Sequence, residues 1–414
     1  MFDIGPLILA STEGDLGIAL AAIVVLGVGA QLVASRIQIP SILLLLLGGV
    51  LAGPVFHIVE PAALLGDLQF PVVSLAVGVL LFEGGLNLRL AELRDHGPTS
   101  IVRLVTIGVL VTWVIGSLGA AVFVGLDRNS ALLLGAILVV SGPTVVLPLL
   151  RFVRVREPVH SILRWEGIFI DPVGATLAIV VLDAVIADEA AASGAQRVFT
   201  TAASGTAAGL LGAAVLVWLI SRHWVPDNLH NAFTLAVVVA AFAGANVVRP
   251  EAGLFATTVL GVALANQERA PMGHIRGFEE DLGQLILGGL FIVLAASIDL
   301  GDVVDHLPGA LALSALLIVV ARPAAVYLST VGSRLRWGER AYLMCVSPRG
   351  IVAATVSALF ALELEEFGEP VDALVPVTYT VIVVTVVFSA IAARIGADGF
   401  RVGRPPARGV ALIG

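Results

Sequence analysis

The chain has 414 residues, of which 58% are hydrophobic and 13% charged, and its mean hydropathy is +1.02. This composition excludes a soluble globular protein and leaves room for about a dozen membrane-spanning helices of about 20 residues each. The net charge of −8 argues against nucleic acid as a partner. A single cysteine excludes a disulfide framework and a cysteine-based zinc site.

Apolar runs separated by polar segments predict thirteen membrane-spanning helices. In chain order they are expected at about 17–35, 40–56, 70–86, 101–125, 130–150, 160–186, 199–221, 229–248, 251–266, 281–298, 308–330, 340–362 and 372–395. The sequence therefore predicts an all-α polytopic membrane protein whose transmembrane domain covers residues 1–400.

The arginines predict the orientation of this domain in the membrane, because basic residues are retained on the cytoplasmic side. All 23 basic residues are arginine. If the N-terminus is outside, 18 of them fall on the inner side, three on the outer side and two within helices. We therefore expect a multi-pass protein of the cell membrane with its N-terminus outside and its C-terminus in the cytoplasm.

Two predicted helices contain a proline near the middle. Gly142 and Pro143 interrupt the fifth helix, and Pro348 interrupts the twelfth. The third and tenth helices also share a faint similarity. Both pairs are seven helices apart, which predicts an inverted repeat with two broken, crossing helices, as in many secondary transporters. The alternative is that both prolines only kink their helices.

Once the charges assignable to loops and helix ends are set aside, five charged residues remain in the hydrocarbon, where a charge is expensive and marks a functional candidate. They are Glu83, Glu166, Asp171, Arg322 and Arg349. Glu166 and Asp171 are five residues apart and so point about 140° away from each other around one helix. We therefore expect one of them to be structural and the other functional.

Arg349 is always protonated and needs an anion, so we expect it to form a structural ion pair with Glu166. Asp171 then lacks a dedicated arginine and must be neutral or bound to a cation. A carboxylate that holds either H⁺ or an alkali cation, but not both, exchanges one for the other. The alternative is that Asp171 packs its helix against the broken backbone.

The remaining candidates have weaker signals. Ser141 and Thr144 can offer oxygen ligands for an alkali cation at the first break. Glu83 precedes two glycines and is either a ligand or a structural residue. Arg322 is expected to extend to the membrane interface, with a functional role as the alternative.

At these residues the chain resembles the cation:proton antiporter superfamily, in the branch of sodium/proton exchangers with a Glu-Ser-x-x-Asn-Asp signature on the sixth helix. Residues 166–171 read Glu-Gly-Ile-Phe-Ile-Asp, and 141–146 resemble the family's Thr-Asp-Pro break. Residues 81–86 and 347–350 match its third-helix and twelfth-helix signatures. Three positions depart from the pattern: Gly142 replaces an aspartate, Gly167 a serine and Ile170 an asparagine.

The resemblance implies a homodimer. Helices 1–3 and 8–10 would form its dimerisation domain, and helices 4–6 and 11–13 an ion-transporting core that moves as an elevator, with helix 7 as the linker. It assigns exchange to Asp171, an ion pair to Glu166 and Arg349, and further ligands to Glu83 and the first break. Members of the family with two adjacent aspartates on this helix tend to be electrogenic, so Asp171 without an adjacent aspartate implies electroneutral one-for-one exchange.

We therefore expect a Na⁺(K⁺)/H⁺ antiporter of a prokaryotic cell membrane that is not an enzyme and uses no cofactor. A gated monovalent cation channel is the alternative, although channels usually repeat a filter around an axis. An intramembrane aspartyl protease would need two facing aspartates, and only Asp171 is clearly embedded.

Residues 401–414 form a separate segment at the end of the chain. A basic, proline-rich linker at 404–408 leads into an apolar run that ends in glycine at 409–414. Such a run is typical of the first strand of a dinucleotide-binding domain. We expect a cytoplasmic nucleotide-binding regulatory domain, truncated here after its first residues.

Overall fold

The computed structural model describes residues 13–37, 39, 41–91, 98–142, 145–146, 149–150, 153, 155–187, 191–366, 372–400 and 402–403. Within these ranges the regular secondary structure is helical, apart from one isolated bridge between Val155 and Gly403. The predicted all-α class is confirmed. The segment at 404–414 lies outside the described residues.

The helices of the first half are α1 (Glu13–Ile37), α2 (Ser41–Val50), α3 (Pro61–Leu65), α4 (Gln69–Leu86), α5 (Pro98–Arg103), α6 (Val109–Gly119), α7 (Arg128–Ile137) and α8 (Val159–Ala187). Those of the second half are α9 (Ala191–Ser221), α10 (His230–Val248), α11 (Ala252–Ala265), α12 (Gly273–Ala296), α13 (Leu300–Leu316), α14 (Arg322–Thr330), α15 (Trp337–Cys345), α16 (Ile351–Glu366) and α17 (Leu374–Gly399). Single π-helical turns extend α2 and α6 and join α5 to α6 and α13 to α14.

Seven helical stretches of the described chain are long and apolar enough to cross a membrane. They are Gly17–Ile37, Thr99–Val124, Val159–Leu182, Phe199–Ser221, Asp227–Val248, Leu300–Thr330 and Leu374–Ala397. Three shorter apolar helices accompany them at Ser41–Val55, Pro71–Leu86 and Ala252–Ala265. Large apolar side chains such as Val25, Val122 and Val247 are exposed on the outer faces, as expected where lipid replaces water. A membrane protein is confirmed, and the count of thirteen crossings stays a prediction.

The helices pack in two groups. The first group contains α1, α2, α4 and α9–α12, and the second contains α5–α8 and α13–α17. Between the groups, α8 contacts α4, α9 and α11, α16 contacts α4 and α12, and α17 contacts α2. The assignment of the first group to dimerisation and of the second to ion transport stays a prediction.

The two helices predicted to break are interrupted in the structure, and both belong to the second group. The first, α7, begins at its N-cap Asp127 and ends at Ile137, and residues 138–142 are not helical. The second, α15, ends at Cys345, and residues 346–350, which include Pro348, separate it from α16. Pro143 and Thr144 lie outside the described residues. Backbone groups freed at both interruptions need other partners.

The crossing of the two interrupted helices

The two interrupted segments touch through their backbones. A Cβ atom on Gly350 would lie 2.5 Å from the backbone nitrogen of Gly142 and 2.7 Å from its Cα. Only glycine allows so close an approach. The interruption before α16 therefore crosses the interruption after α7 at these two glycines.

Asp171 lies at this crossing, on the 29-residue helix α8. Its side chain is fully buried, and its Oδ1 lies 3.7 Å from the position of a Cβ on Gly350. Neither carboxylate oxygen has a hydrogen-bond donor among the residues that the structure describes. Because an isolated buried carboxylate is very unfavourable, this side chain must bind a proton or a cation.

Arg349 joins the two interrupted segments. It is 3% exposed, and its Nη1 donates to the carbonyl oxygen of Val139 at 3.0 Å. Its backbone nitrogen donates to the Thr385 hydroxyl on α17 at 3.1 Å. The positive side chain thus satisfies a carbonyl that the end of α7 leaves free.

The structure corrects two predictions about arginines. Arg322 forms a two-pronged ion pair with Glu166, through Nη1 to Oε1 and through Nη2 to Oε2 at 3.0 Å. Its Nε donates to the carbonyl oxygen of Leu343 at 2.9 Å. The predicted pairing of Glu166 with Arg349 is wrong, and so is the predicted extension of Arg322 to the membrane interface, because Arg322 is buried at 6% exposure.

Glu166 pairs with Arg322 and not with Arg349 because of its position along α8. Glu166 lies about 7.5 Å before Asp171 along the helix axis, at a rise of 1.5 Å per residue. At that level its neighbour is the start of α14, which carries Arg322, whereas Arg349 lies at the level of the crossing and bonds to Val139.

Two of the remaining predicted site residues are described. Ser141 is buried in the first interrupted segment. Glu83 is buried on α4, in the other helix group, where its Oε2 lies 2.5 Å from the position of a Cβ on Gly283 of α12.

The sequence analysis missed Glu279. Helix α12 begins at Gly273, whereas the predicted helix began at 281 and left Glu279 in a loop. Glu279 is fully buried, and neither carboxylate oxygen has a partner in the described part of the chain. A predicted helix that began two turns earlier would have placed Glu279 within the helix.

A small, partly open cavity lies beside the second interrupted segment, lined in part by Arg322, Cys345, Ser347, Arg349 and Thr385. The Nε of Arg349 has no partner among the described residues, so a water molecule fits there. Among the same residues there is no cluster of three or more histidine, cysteine or acidic side chains that could hold a metal ion.

A helical membrane protein with a buried carboxylate at two crossing, interrupted helices has the architecture of a secondary transporter. A family model for the transmembrane region of sodium/hydrogen exchangers matches residues 18–395, and the chain belongs to that family. The resemblance seen in the sequence is thus confirmed.

Known relatives carry antiporter names. Over 371 residues the chain is 26% identical to Na⁺/H⁺ antiporter 1 of Methanocaldococcus jannaschii, covering 87% of this chain and 85% of that protein. It is 28% identical to the K⁺/H⁺ antiporter NhaP of Alkalimonas amylolytica over 83% of this chain, and it spans 60% of that protein's length.

Solved structures show the same fold. The structure of the sodium proton antiporter MjNhaP1 from M. jannaschii at pH 8 matches with a TM-score of 0.80 and 23% identity, over 93% of this chain and 99% of that one. An electron-microscopy map of the same antiporter matches with a TM-score of 0.74 over 93% and 94% of the two chains.

Proposed function

We propose that this protein is a secondary antiporter that exchanges a monovalent cation, Na⁺ or K⁺, for H⁺. The observation that carries the proposal is Asp171, fully buried at the crossing of two interrupted helices with no donor to either oxygen among the described residues. Family membership supports it, and so do relatives named as Na⁺/H⁺ and K⁺/H⁺ antiporters.

The mechanism is competition for one carboxylate. When Asp171 is ionised it attracts a dehydrated cation, and when it is protonated it is neutral and binds none. Backbone carbonyls of the interrupted segments, together with Ser141 and Thr144, supply the remaining oxygen ligands. Because Gly142 carries no side-chain ligand, backbone oxygens and water make up more of the ion shell.

The ion pair of Glu166 with Arg322 supports this division of roles. One carboxylate of α8 is neutralised permanently by a guanidinium, while the other has no such partner in the described residues. Only the second can release and rebind a proton without leaving an arginine unpaired. Glu166 is therefore structural, and Asp171 is the exchange residue.

The architecture completes the proposal. The chain would cross the membrane thirteen times with its N-terminus outside, and the first helix group would form a homodimer. The second group would move as an elevator and carry Asp171 across the membrane. The two helix groups contact each other mainly along α8 and α16 of the second group, which pack on α4, α9, α11 and α12 of the first, and this arrangement supports such a movement. One carboxylate per core predicts one cation per proton.

The decisive experiment compares two aspartate variants in proteoliposomes loaded with a pH-sensitive dye. Asp171→Asn removes the exchangeable charge, and we expect cation-dependent proton flux to fall to the level of empty liposomes. Asp302→Asn on the exposed first turn of α13 is the matched control and retains wild-type flux.

Three results would overturn the proposal. They are normal flux in the Asp171→Asn variant, absence of Na⁺- or K⁺-driven flux in the wild type, and single-channel currents, which would instead indicate a gated cation channel.

A further inference from the structure

The small cavity beside the second interrupted segment has no role in the antiport mechanism. The described residues that line it include two arginines, Arg322 and Arg349, and no acidic residue. Both arginines are buried, and a guanidinium is always protonated. The cavity is therefore positively charged, which makes it unsuitable for the exchanged cation and favourable for an anion.

Arg349 has a free donor in this cavity. Its Nη1 donates to the carbonyl oxygen of Val139, but its buried Nε donates to no described residue. Neither buried acid of α8 is its partner in the described structure. Glu166 is bonded to Arg322, and neither oxygen of Asp171 accepts a hydrogen bond from the described residues. Arg349 thus brings a positive charge and an unused N–H group to the cavity.

Ser389 on α17 supplies a second donor. Its side chain lines the same cavity and is buried. The hydroxyl oxygen accepts from the backbone nitrogen of Ser347 at 3.3 Å, and the hydroxyl donates to no oxygen of the described residues. Thr385 also lines the cavity, but its hydroxyl already donates to the carbonyl oxygen of Val381 at 2.7 Å. Two buried donors that lack an acceptor therefore face one space.

The charges buried in the second helix group do not balance when Asp171 is loaded. Among the described residues these charges belong to Glu166, Asp171, Arg322 and Arg349. Glu166 and Arg322 cancel each other as an ion pair. Asp171 is neutral when it holds a proton or a monovalent cation, so the charge of Arg349 then has no counterpart. An uncompensated charge is costly within a membrane.

A water molecule would accept from the two donors but would leave the charge of Arg349 unbalanced. We infer that the cavity is a binding site for a small monovalent anion, of the size and charge of chloride, held by the Nε of Arg349 and the hydroxyl of Ser389. The anion is a counter-ion that neutralises the helix group when Asp171 is loaded. This site goes beyond the proposed antiport, because it takes neither of the exchanged ions.

The test measures chloride binding to the purified protein in detergent. The background is Asp171→Asn, in which residue 171 is neutral at every pH and the charge of Arg349 stays unbalanced. Choline chloride is added, so that no transported cation is present, and broadening of the chloride NMR signal reports bound chloride. We expect broadening that bromide removes and that gluconate, which is too large for the cavity, leaves in place.

Three substitutions in this background locate the site. Arg349→Gln removes the charge and should abolish the bromide-sensitive broadening. Ser389→Ala removes one donor and should weaken chloride binding roughly tenfold, the usual effect of losing one hydrogen bond to a charged group. Arg36→Gln, the same change at an exposed arginine of α1, is the matched control and should leave the binding intact. Size-exclusion elution and melting temperature confirm that each variant is folded.

Each outcome decides one proposal. No bromide-sensitive broadening in Asp171→Asn, or equal broadening with and without Arg349, overturns the anion site and indicates that water alone fills the cavity, while antiport through Asp171 stands. Normal cation-dependent flux in Asp171→Asn overturns the antiport and leaves the anion site standing. If Arg349→Gln does not fold, Ser389→Ala decides in its place, and an unchanged chloride affinity in that variant overturns the site.

Discussion

Arg322 and Arg349 bind different partners although both are buried in the same helix group. Arg322 neutralises Glu166 and bonds to the carbonyl of Leu343, so its charge is spent on a pair. Arg349 instead bonds to a carbonyl at the end of α7. At the scale of single residues, the site therefore consists of one carboxylate neutralised by an arginine and one, Asp171, that accepts no hydrogen bond from the described residues.

Loss of Arg322 should strand Glu166 as a buried charge. We expect Arg322→Met to lower the free energy of unfolding by about 3–5 kcal/mol, and the double variant Arg322→Met/Glu166→Leu to recover most of that loss. Thermal unfolding of the purified protein measures both. Arg349→Met is the control, and a rescue of that variant by Glu166→Leu would contradict the observed pairing.

Competition at Asp171 predicts a specific pH dependence. As the pH falls, protons occupy the carboxylate, so the apparent KM for Na⁺ or K⁺ should rise by up to about tenfold per pH unit while the maximal rate changes little. Initial rates of dye-reported flux over a pH series measure both quantities. A KM that stays constant from alkaline to acidic pH would show that cation and proton do not share a site.

At the scale of elements, the interruptions of two helices create the site. Pro348 predicted one interruption correctly from the sequence, since proline cannot continue a helix hydrogen-bond ladder. The crossing of the two interruptions was not predictable from local pattern, because it depends on contact between Gly142 and Gly350, more than 200 residues apart in the chain.

A side chain at Gly350 should force the two interrupted segments apart. We expect Gly350→Ala to reduce flux more than tenfold, because its Cβ would overlap the backbone of Gly142. Gly244→Ala on α10 is the matched control. A Cβ there meets no atom within 4 Å, so this change should leave flux intact and stability unchanged or raised by up to about 1 kcal/mol. Wild-type flux in Gly350→Ala would remove the crossing from the mechanism.

The start of α7 depends on its N-cap. The Asp127 carboxylate accepts from the backbone nitrogens of Asn129 at 2.9 Å and Ser130 at 3.4 Å. Asp127→Ala should cost about 1 kcal/mol, whereas Asp127→Asn keeps a capping acceptor and should cost less. Melting temperatures of the two variants test whether Asp127→Ala destabilises the protein more than Asp127→Asn does.

The cap also has a pH dependence. Partial burial raises the pKa of Asp127, but the hydrogen bonds from Ser130 and Asn129 together outweigh it and hold the pKa below its usual value. The stabilisation is therefore present at neutral pH and is lost as the pH falls through that lowered pKa. A difference in melting temperature between wild type and Asp127→Ala that persists unchanged in strong acid would contradict this.

At the scale of the whole molecule, the two helix groups place different acids on opposite sides of one contact surface. Asp171 lies in the group with both interrupted helices, and Glu83 with Glu279 lies in the other. The proposed relative movement of the groups would therefore change the distance between Asp171 and the acids of the other group.

The proposed one-for-one exchange at Asp171 would move no net charge in a cycle. We expect flux in proteoliposomes to be the same with and without a membrane potential set by a valinomycin-induced K⁺ gradient, tested with Na⁺ as the transported ion. Acceleration by a potential would indicate a second charge in the cycle and contradict electroneutral exchange.

The sequence by itself determined that the chain is a helical membrane protein with a broken helix at Pro348 and few intramembrane charges. It could do so because a bilayer requires each segment to satisfy its own backbone, which leaves a readable apolar pattern. Only the tertiary structure decided that Glu166 pairs with Arg322, that Gly142 meets Gly350, and that Glu83 on α4 approaches Gly283 on α12. These contacts join helices that are distant in the chain. Which residues meet depends on packing between helix surfaces, and no local sequence pattern specifies that packing.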